Sequence, residues 1–169
     1  MQLSEKRHSI FYRRANRQYV AMSTDEVWRF LETKKKLFAA FPMENGYPHV
    51  SPVWFCLLDG RIYLRTHDYK VKTELANSGR ACCSTDDGET YPELRGVIIW
   101  GRSRVVTEKG LMDRVNGIME DKYRGLQWRE SEMPKSWVHE RKKEKRAFIE
   151  ITPEKISSWD NRKVGSGFP

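Results

Sequence analysis

The stretch GYPHVSPVWF, residues 46–55, decides the fold of this chain. It alternates like a β-strand, yet it carries Pro48 and Pro52 and sets His49, Ser51 and Trp54 in one short run. Proline removes a ladder donor, so within sheets it is confined to edges, strand starts and bulges. Polar side chains buried in a sheet need partners. Such a strand runs beside something other than two ordinary neighbours.

Its flanks set the connectivity. Asn45-Gly46 is a strong hairpin signal, so KLFAAFPM (36–43) is the strand before it. The quoted stretch continues as a second strand to Leu58, where Asp59-Gly60 turns tightly into a third, RIYLRT (61–66). Connections this short exclude the crossovers of an alternating βαβ sheet. Upstream, Ser23 and Glu26 form a capping-box pattern ahead of Val27, Phe30 and Leu31, which recur at helical spacing. Downstream, DYKVKTELANSG (68–79) predicts a short helix with Val71 and Leu75 on one face and Gly79 at its end.

RACCSTD (80–86) and RGVIIWGRSRVV (95–106) are the fourth and fifth strands, with bends or bulges expected at Gly96 and Gly101. Leu111, Val115, Ile118 and Met119 repeat on one helical face. Pro134 suits the first turn of a further helix. RAFIEI (146–151) and KISSWD (155–160) finish the sheet as two strands separated by Pro153. The inventory predicts a mainly β fold, an antiparallel barrel or sandwich with a few covering helices.

Composition adds bounds. A chain of 169 residues suits one domain with a sizeable core. Its formal net charge of +8 favours anionic partners: nucleic acid, anionic lipid or a phosphorylated ligand. The cysteines, Cys56, Cys82 and Cys83, form no CxxC pair, and adjacent cysteines strain a disulfide between them, so reduced thiols are expected. With four scattered histidines they give no metal-site spacing. No apolar leader core and no 18-residue apolar stretch occurs, which predicts a cytoplasmic protein without a membrane partner. Residues 1–22 place basic side chains among Phe11, Tyr12 and Tyr19 and form a basic arm; the domain proper is 23–169.

The order NGYPHVSPVWF (45–55), DGRIYLRT (59–66), KVKTELANSGRACCSTDD (70–87) and YPELRGVIIWGRSRVV (91–106) resembles the pyridoxamine 5′-phosphate oxidase-like family. The resemblance extends over roughly residues 23 to 160. It implies an antiparallel split β-barrel of the FMN-binding type, with FMN or, in a related branch, the deazaflavin coenzyme F-420 as cofactor. It also implies a homodimer with cofactor sites at the interface, near Trp54 and Trp159. The backbone of His49, Val50, Ser51, Pro52, Val53 and Trp54 would then bond the edge of a flat ring in place of part of the ladder.

The cofactor's phosphate would meet Thr66, Lys70 and Lys72, with Arg65 adding charge. A hydroxyl and cations at a helix start suit a phosphate physically, whereas any one of these lysines alone reads as a solvated helix face. Tyr91 and Trp100 are candidates for the substrate side. Two departures argue against vitamin B6 oxidation. Gly96 stands where the pyridoxamine phosphate oxidases often carry Gln, and the ending SSWDNRKVGSGFP lacks their Arg-containing tail.

The resemblance therefore implies an FMN- or F-420-dependent oxidoreductase in which the cofactor carries the redox chemistry. FMN is the broader family habit, while the abundant Lys and Arg also suit the acidic tail of F-420. His49 could donate a proton, but a histidine on an alternating strand is more often a packing residue, and no catalytic acid or base is assigned. Two other classes stay open: a non-catalytic flavin carrier or sensor, and a nucleic-acid-binding barrel suggested by RRANRQY (13–19). Against the latter, the basic residues are spread over arm, helix and loop, without a repeated stacking pattern.

Overall fold

The structure is a computed structural model that describes residues 19–68, 70–127, 129–138 and 145–166. Helix α1 (Thr24–Thr33) leads to strands β1 (Leu37–Pro42), β2 (Pro48–Val53), β3 (Phe55–Leu58) and β4 (Arg61–His67). A short helix α2 (Val71–Leu75) tightens into a 3-10 turn at Ala76–Ser78 before β5 (Ala81–Asp87) and β6 (Arg95–Val105). Helix α3 (Lys109–Lys122) and the long strand β7 (Arg146–Asp160) follow.

Local chemistry explains most boundaries. At α1 the Ser23 N–H donates to Glu26 Oε2 at 2.6 Å and the Glu26 N–H returns to Ser23 Oγ at 3.3 Å, closing the expected box. Asp59 and Gly60 both take positive φ, 50° and 71°, which a two-residue hairpin of this hand requires. Gly79, at φ 75°, ends the turn after α2.

The seven strands pair antiparallel in the order β2-β1-β5-β6-β7-β4-β3. The two ends of that order, β2 and β3, are one run of chain broken only at Trp54. The quoted stretch is thus two strands rather than one: β2 pairs β1, and β3 pairs β4. The Arg65 N–H donates to the Trp54 carbonyl at 3.0 Å, so the sheet curls until its edges meet at this joint. That is a split barrel.

Its interior holds Leu37, Phe41, Val53, Phe55, Leu64 and Ile99, and α1 adds Val27, Phe30 and Leu31 to that core. Outside, Val115, Met119 and Tyr123 pack on Cys56, Tyr63 and Phe148, so α3 covers the β3-β4-β7 side. The outward rows of β2, β1, β5 and β6 are different. Val50 is 54 %, Phe38 51 % and Trp100 38 % exposed there.

Two expectations change. Pro153 does not divide the last segment; β7 runs through it. Pro153 lies opposite Gly101 where the β6–β7 register shifts, and such a bulge tolerates the missing N–H. A Cβ on Gly101 would lie 2.2 Å from the Thr152 carbonyl oxygen, so only glycine fits that bulge. Gly96 serves packing instead, because a Cβ there would lie 2.4 Å from the Trp159 ring.

Residues 1–18 of the basic arm fall outside the described residues, but its last residues join the barrel. The Asp160 N–H donates to Val20 O at 2.7 Å, and the Met22 N–H to Ser158 Oγ at 3.0 Å. After Pro134, residues 135–138 are helical, and 139–144 lie outside the described residues. Among the described residues no helix is long and apolar enough to cross a membrane.

Candidate functional site

The prolines of β2 make sense in this topology. Among the described residues β2 pairs only with β1, and its second edge has no strand partner from Pro48 to Val53. Along β2, Pro48, Val50 and Pro52 are exposed, while His49 and Ser51 are half-buried and Val53 is buried in the core. Ser51 therefore shares the inward row with Val53. Across the joint, Thr66 shares the inward row of β4 with Ile62 and Leu64.

Both hydroxyls at this mouth are buried, and neither Ser51 Oγ nor Thr66 Oγ1 has a hydrogen-bond partner among the described residues. Leaving such groups unpaired is costly, typically about 1–3 kcal/mol each. The chain leading into α2 is drawn tight beside them. Thr73 Oγ1 donates to the His67 carbonyl at 2.7 Å, the Lys70 N–H to the same carbonyl at 3.2 Å, and the Thr73 N–H to Lys70 O at 2.8 Å. These bonds set Lys70 and Lys72 at the start of the helix.

Lys72 is half-buried, and among the described residues no carboxylate pairs with it. Burial pushes its ammonium below the usual lysine pKa, and the Lys70 charge adds to the effect. Two unpaired hydroxyls and an uncompensated cation lack one thing in common: an anion with several acceptor oxygens. A phosphate supplies it. Because α2 has only five residues, the lysines and hydroxyls carry this attraction rather than a helix dipole.

Arg65 and Trp54 point elsewhere. Strand alternation puts Arg65 on the face opposite Thr66, where its guanidinium lies 4.8 Å from the centre of the Trp54 ring and 3.3 Å from Glu120. Glu120 also accepts from Arg146 at 2.7 Å and from Gln127 at 3.2 Å. The other neighbour of the Trp54 ring is Tyr123, stacked at 4.2 Å with the planes 3° apart. Arg65 and Trp54 are thus brought together under α3, as fasteners of the joint, and the Trp54 carbonyl is taken by Arg65.

Tyr123 escaped the sequence reading, although it continues the Val115–Met119 face of α3 at i+4. Its hydroxyl accepts the Phe55 N–H at 2.8 Å and lies 2.8 Å from the carbonyls of Phe55 and Lys35, to one of which it donates. Burial pushes its pKa up to about 12, so it remains a neutral donor that pins the β2–β3 corner.

Trp100 belongs to a different surface. The registers align Val50, Ala40, Cys82, Trp100 and Lys155 in one outward row across five strands, and the Lys155 ammonium sits 5.3 Å from the Trp100 ring centre. Tyr91 lies on the turn between β5 and β6, exposed, with its carbonyl accepting from Asn161 Nδ2 at 2.8 Å. The structure does not bring these two aromatic residues together. A cleft of about 580 Å³ lies between the Ser78–Arg80 turn and the β6–β7 pair, lined by none of the candidate cofactor or substrate residues. Its Arg102 and Arg104 are occupied by Glu154 and by Glu150 with Glu108.

A family profile described as Pyridoxamine 5′-phosphate oxidase matches residues 23–160. The chain belongs to that family. The conserved hypothetical protein Rv2991 of Mycobacterium tuberculosis is similar in structure, with TM-score 0.75 and 27 % identity over 90 % of this chain and 94 % of that one. The FAD binding protein of Mycobacterium smegmatis shares the fold at TM-score 0.61 and 16 % identity, covering 82 % and 96 % of the two chains. A FAD-binding protein of Mesorhizobium loti does so at TM-score 0.61 and 17 % identity, covering 82 % and 94 %. No curated protein matches the chain.

Proposed function

We propose that this member of the family is a flavin-dependent oxidoreductase that holds FMN along the free edge of β2. One observation carries the reading: Ser51 and Thr66 bury hydroxyls that no described residue satisfies, and Lys72, on the short helix that follows Thr66, has a half-buried ammonium that no described carboxylate pairs. Two proteins of this fold that bind FAD support the cofactor class. Lys70 and Lys72 neutralise the phosphate, and the Thr66 and Ser51 hydroxyls fix its orientation. The β2 backbone from His49 to Val53 meets the edge of the ring, and Trp54 holds the strand's end through Tyr123. His49, on the inward row with Ser51, is the titratable side chain of β2 and the candidate proton donor. A bound flavin supplies hydride or single-electron transfer. F-420 is the alternative cofactor, its acidic tail matched by the chain's net charge of +8.

The substrate is a small molecule other than pyridoxamine phosphate. The Trp159 ring occupies the space over Gly96, where the oxidases that the chain resembles carry a larger polar residue. Three free thiols fit a cytoplasmic setting. The active form is a homodimer built on the outward rows of β2, β1, β5 and β6, whose Phe38, Val50 and Trp100 form an apolar face no described helix covers.

Two measurements test this. Apo-protein is titrated with FMN and with F-420 while cofactor fluorescence and the visible spectrum are followed; saturable micromolar binding of FMN is expected. No binding of either cofactor at ten times that concentration overturns the assignment. Sedimentation of wild type and Phe38→Glu should give a dimer and a monomer, and a wild-type monomer with cofactor bound removes the interface.

A further inference from the structure

The cleft beside the Ser78–Arg80 turn takes no part in the proposed cofactor site, yet at about 580 Å³ it has the size of a small-molecule site. Its charged lining is Arg80, Arg102 and Arg104 with Glu150 and Glu154. The β5–β6 ladder ends on the pair Ala81–Gly101, so one position further on Arg80 stands across from Arg102. Like charges directly opposite on neighbouring strands repel. Glu154 relieves this only in part, by accepting the Arg102 Nε proton at 2.7 Å. A guanidinium has five N–H donors. The other four of Arg102, and all five of Arg80, meet no acceptor among the described residues. The Arg102–Glu154 pair is itself 79 % and 55 % exposed, so it contributes little and rearranges at low cost.

One wall of the cleft is fixed. Glu150 is 6 % exposed and accepts from Arg104 Nε at 2.9 Å, Arg104 Nη2 at 3.0 Å and the Tyr63 hydroxyl at 2.9 Å. Glu108 holds Arg104 Nη1 at 2.8 Å, and the Arg61 guanidinium lies 3.8 Å from Glu150. The Glu150 charge is therefore matched from within the protein. The Ser103 hydroxyl is spent on the Ala76 carbonyl at 2.8 Å, whereas the Ser78 and Thr152 hydroxyls have no partner among the described residues. With Glu150 and Glu154 each paired, the surplus charge of the lining is the cation of Arg80.

We propose that this cleft is a binding site for a small molecule bearing a carboxylate or phosphate group, which Arg80 and Arg102 clasp between them. Planar guanidinium forks match two oxygens carried on one carbon or phosphorus atom. An oxyanion in that place replaces the repulsion between the two cations with two charge-assisted contacts. The Ser78 and Thr152 hydroxyls serve the rest of the molecule, and the Arg104–Glu150 pair forms a rigid wall beside it. None of His49, Ser51, Thr66, Lys70 and Lys72 lines the cleft, so the site does not depend on the flavin reading.

The test follows the arginine Nε–H signals of the intact, isotope-labelled protein by NMR. Citrate and pyrophosphate are added in separate titrations, with ionic strength held constant by sodium chloride. The signals of Arg80 and Arg102, each assigned by its loss in Arg80→Gln or Arg102→Gln, should shift together and saturate with one Kd, at or below about 1 mM. Either variant should weaken binding by about tenfold, the loss of one charge-assisted contact, and keep the Tm of the unliganded protein. Saturation by citrate alone assigns a carboxylate ligand, by pyrophosphate alone a phosphate, and by both an oxyanion of either kind. Shifts reproduced by sodium chloride alone, shifts that do not saturate with either probe, or variants that bind as tightly as wild type overturn the proposal.

Discussion

Thr66→Val should stabilise the apo-protein and weaken its hold on cofactor, two effects of opposite sign from one hydroxyl. Thr66 is 4 % exposed and its Oγ1 has no partner among the described residues. Valine keeps the shape and replaces the hydroxyl with a methyl group. An unsatisfied buried hydroxyl costs about 1–3 kcal/mol, so its removal should return about that much to the apo fold. For a domain of this size each kcal/mol moves Tm by about 2–4 °C, so a rise of roughly 2–12 °C is expected. The hydroxyl's bond to a phosphate oxygen is charge-assisted and contributes about 1.5–3 kcal/mol, which corresponds to about ten- to a hundredfold in Kd. The assay pairs calorimetry of apo-protein with FMN titration. A variant that melts below wild type shows that the hydroxyl is satisfied in the apo fold. A variant that melts higher but binds FMN equally well removes Thr66 from the phosphate site.

Lys72→Ala should weaken FMN by about ten- to a hundredfold with little change in Tm, and binding to the variant should respond less to added salt; equal affinities return Lys72 to an ordinary helix face. Gly101→Ala should cost about 3 kcal/mol or more by forcing the β6–β7 bulge apart, whereas Gly117→Ala, with open space around its Cβ in α3, should gain about 0.5–1 kcal/mol, both read from urea melts. Glu150→Gln should cost about 1–3 kcal/mol at pH 7, less than a fully buried pair would because Arg104 is 43 % exposed. Burial alone would raise the Glu150 pKa, but hydrogen bonds from Arg104 and Tyr63 outweigh it and hold the carboxyl below its usual value. A depressed folded-state pKa gives stability that is present above the unfolded pKa, about 4.3, and lost as pH falls through the folded one. The gap between wild type and Glu150→Gln should therefore close as pH falls below the ordinary glutamate pKa, about 4.3; a constant gap refutes the pairing.

What the sequence disclosed was whatever neighbours along the chain decide. Asn45-Gly46, Asp59-Gly60, the Ser23–Glu26 box and Gly79 act within a few residues, and each sits in the conformation its type favours. Pro153 misled because its tolerance depends on Gly101, about fifty positions earlier and visible only once β6 and β7 are paired. The break at Trp54 was hidden for the same reason, since alternation continues through it and only the change of partner from β1 to β4 marks it. At the candidate site, Thr66, Lys70 and Lys72 were legible as a cluster, whereas burial of the Ser51 and Thr66 hydroxyls is a tertiary fact. The turning of Arg65 and Trp54 toward Tyr123 follows from alternation, but choosing which face α3 covers required the fold.

The prolines of β2 also decide what cannot add to this barrel. A sheet edge left open from Pro48 to Val53 would ordinarily invite the strand of another chain, and exposed edges are the usual starting points of aggregation. Pro48 and Pro52 withhold two backbone donors from that edge and fix φ at both positions, so an incoming strand cannot build an unbroken ladder. A flat ligand that needs only a few hydrogen bonds is not hindered in the same way. The edge is thereby kept available to a small planar molecule and poor at templating fibrils. If β2 holds the proposed cofactor, the empty chain can expose this strand without polymerising through it.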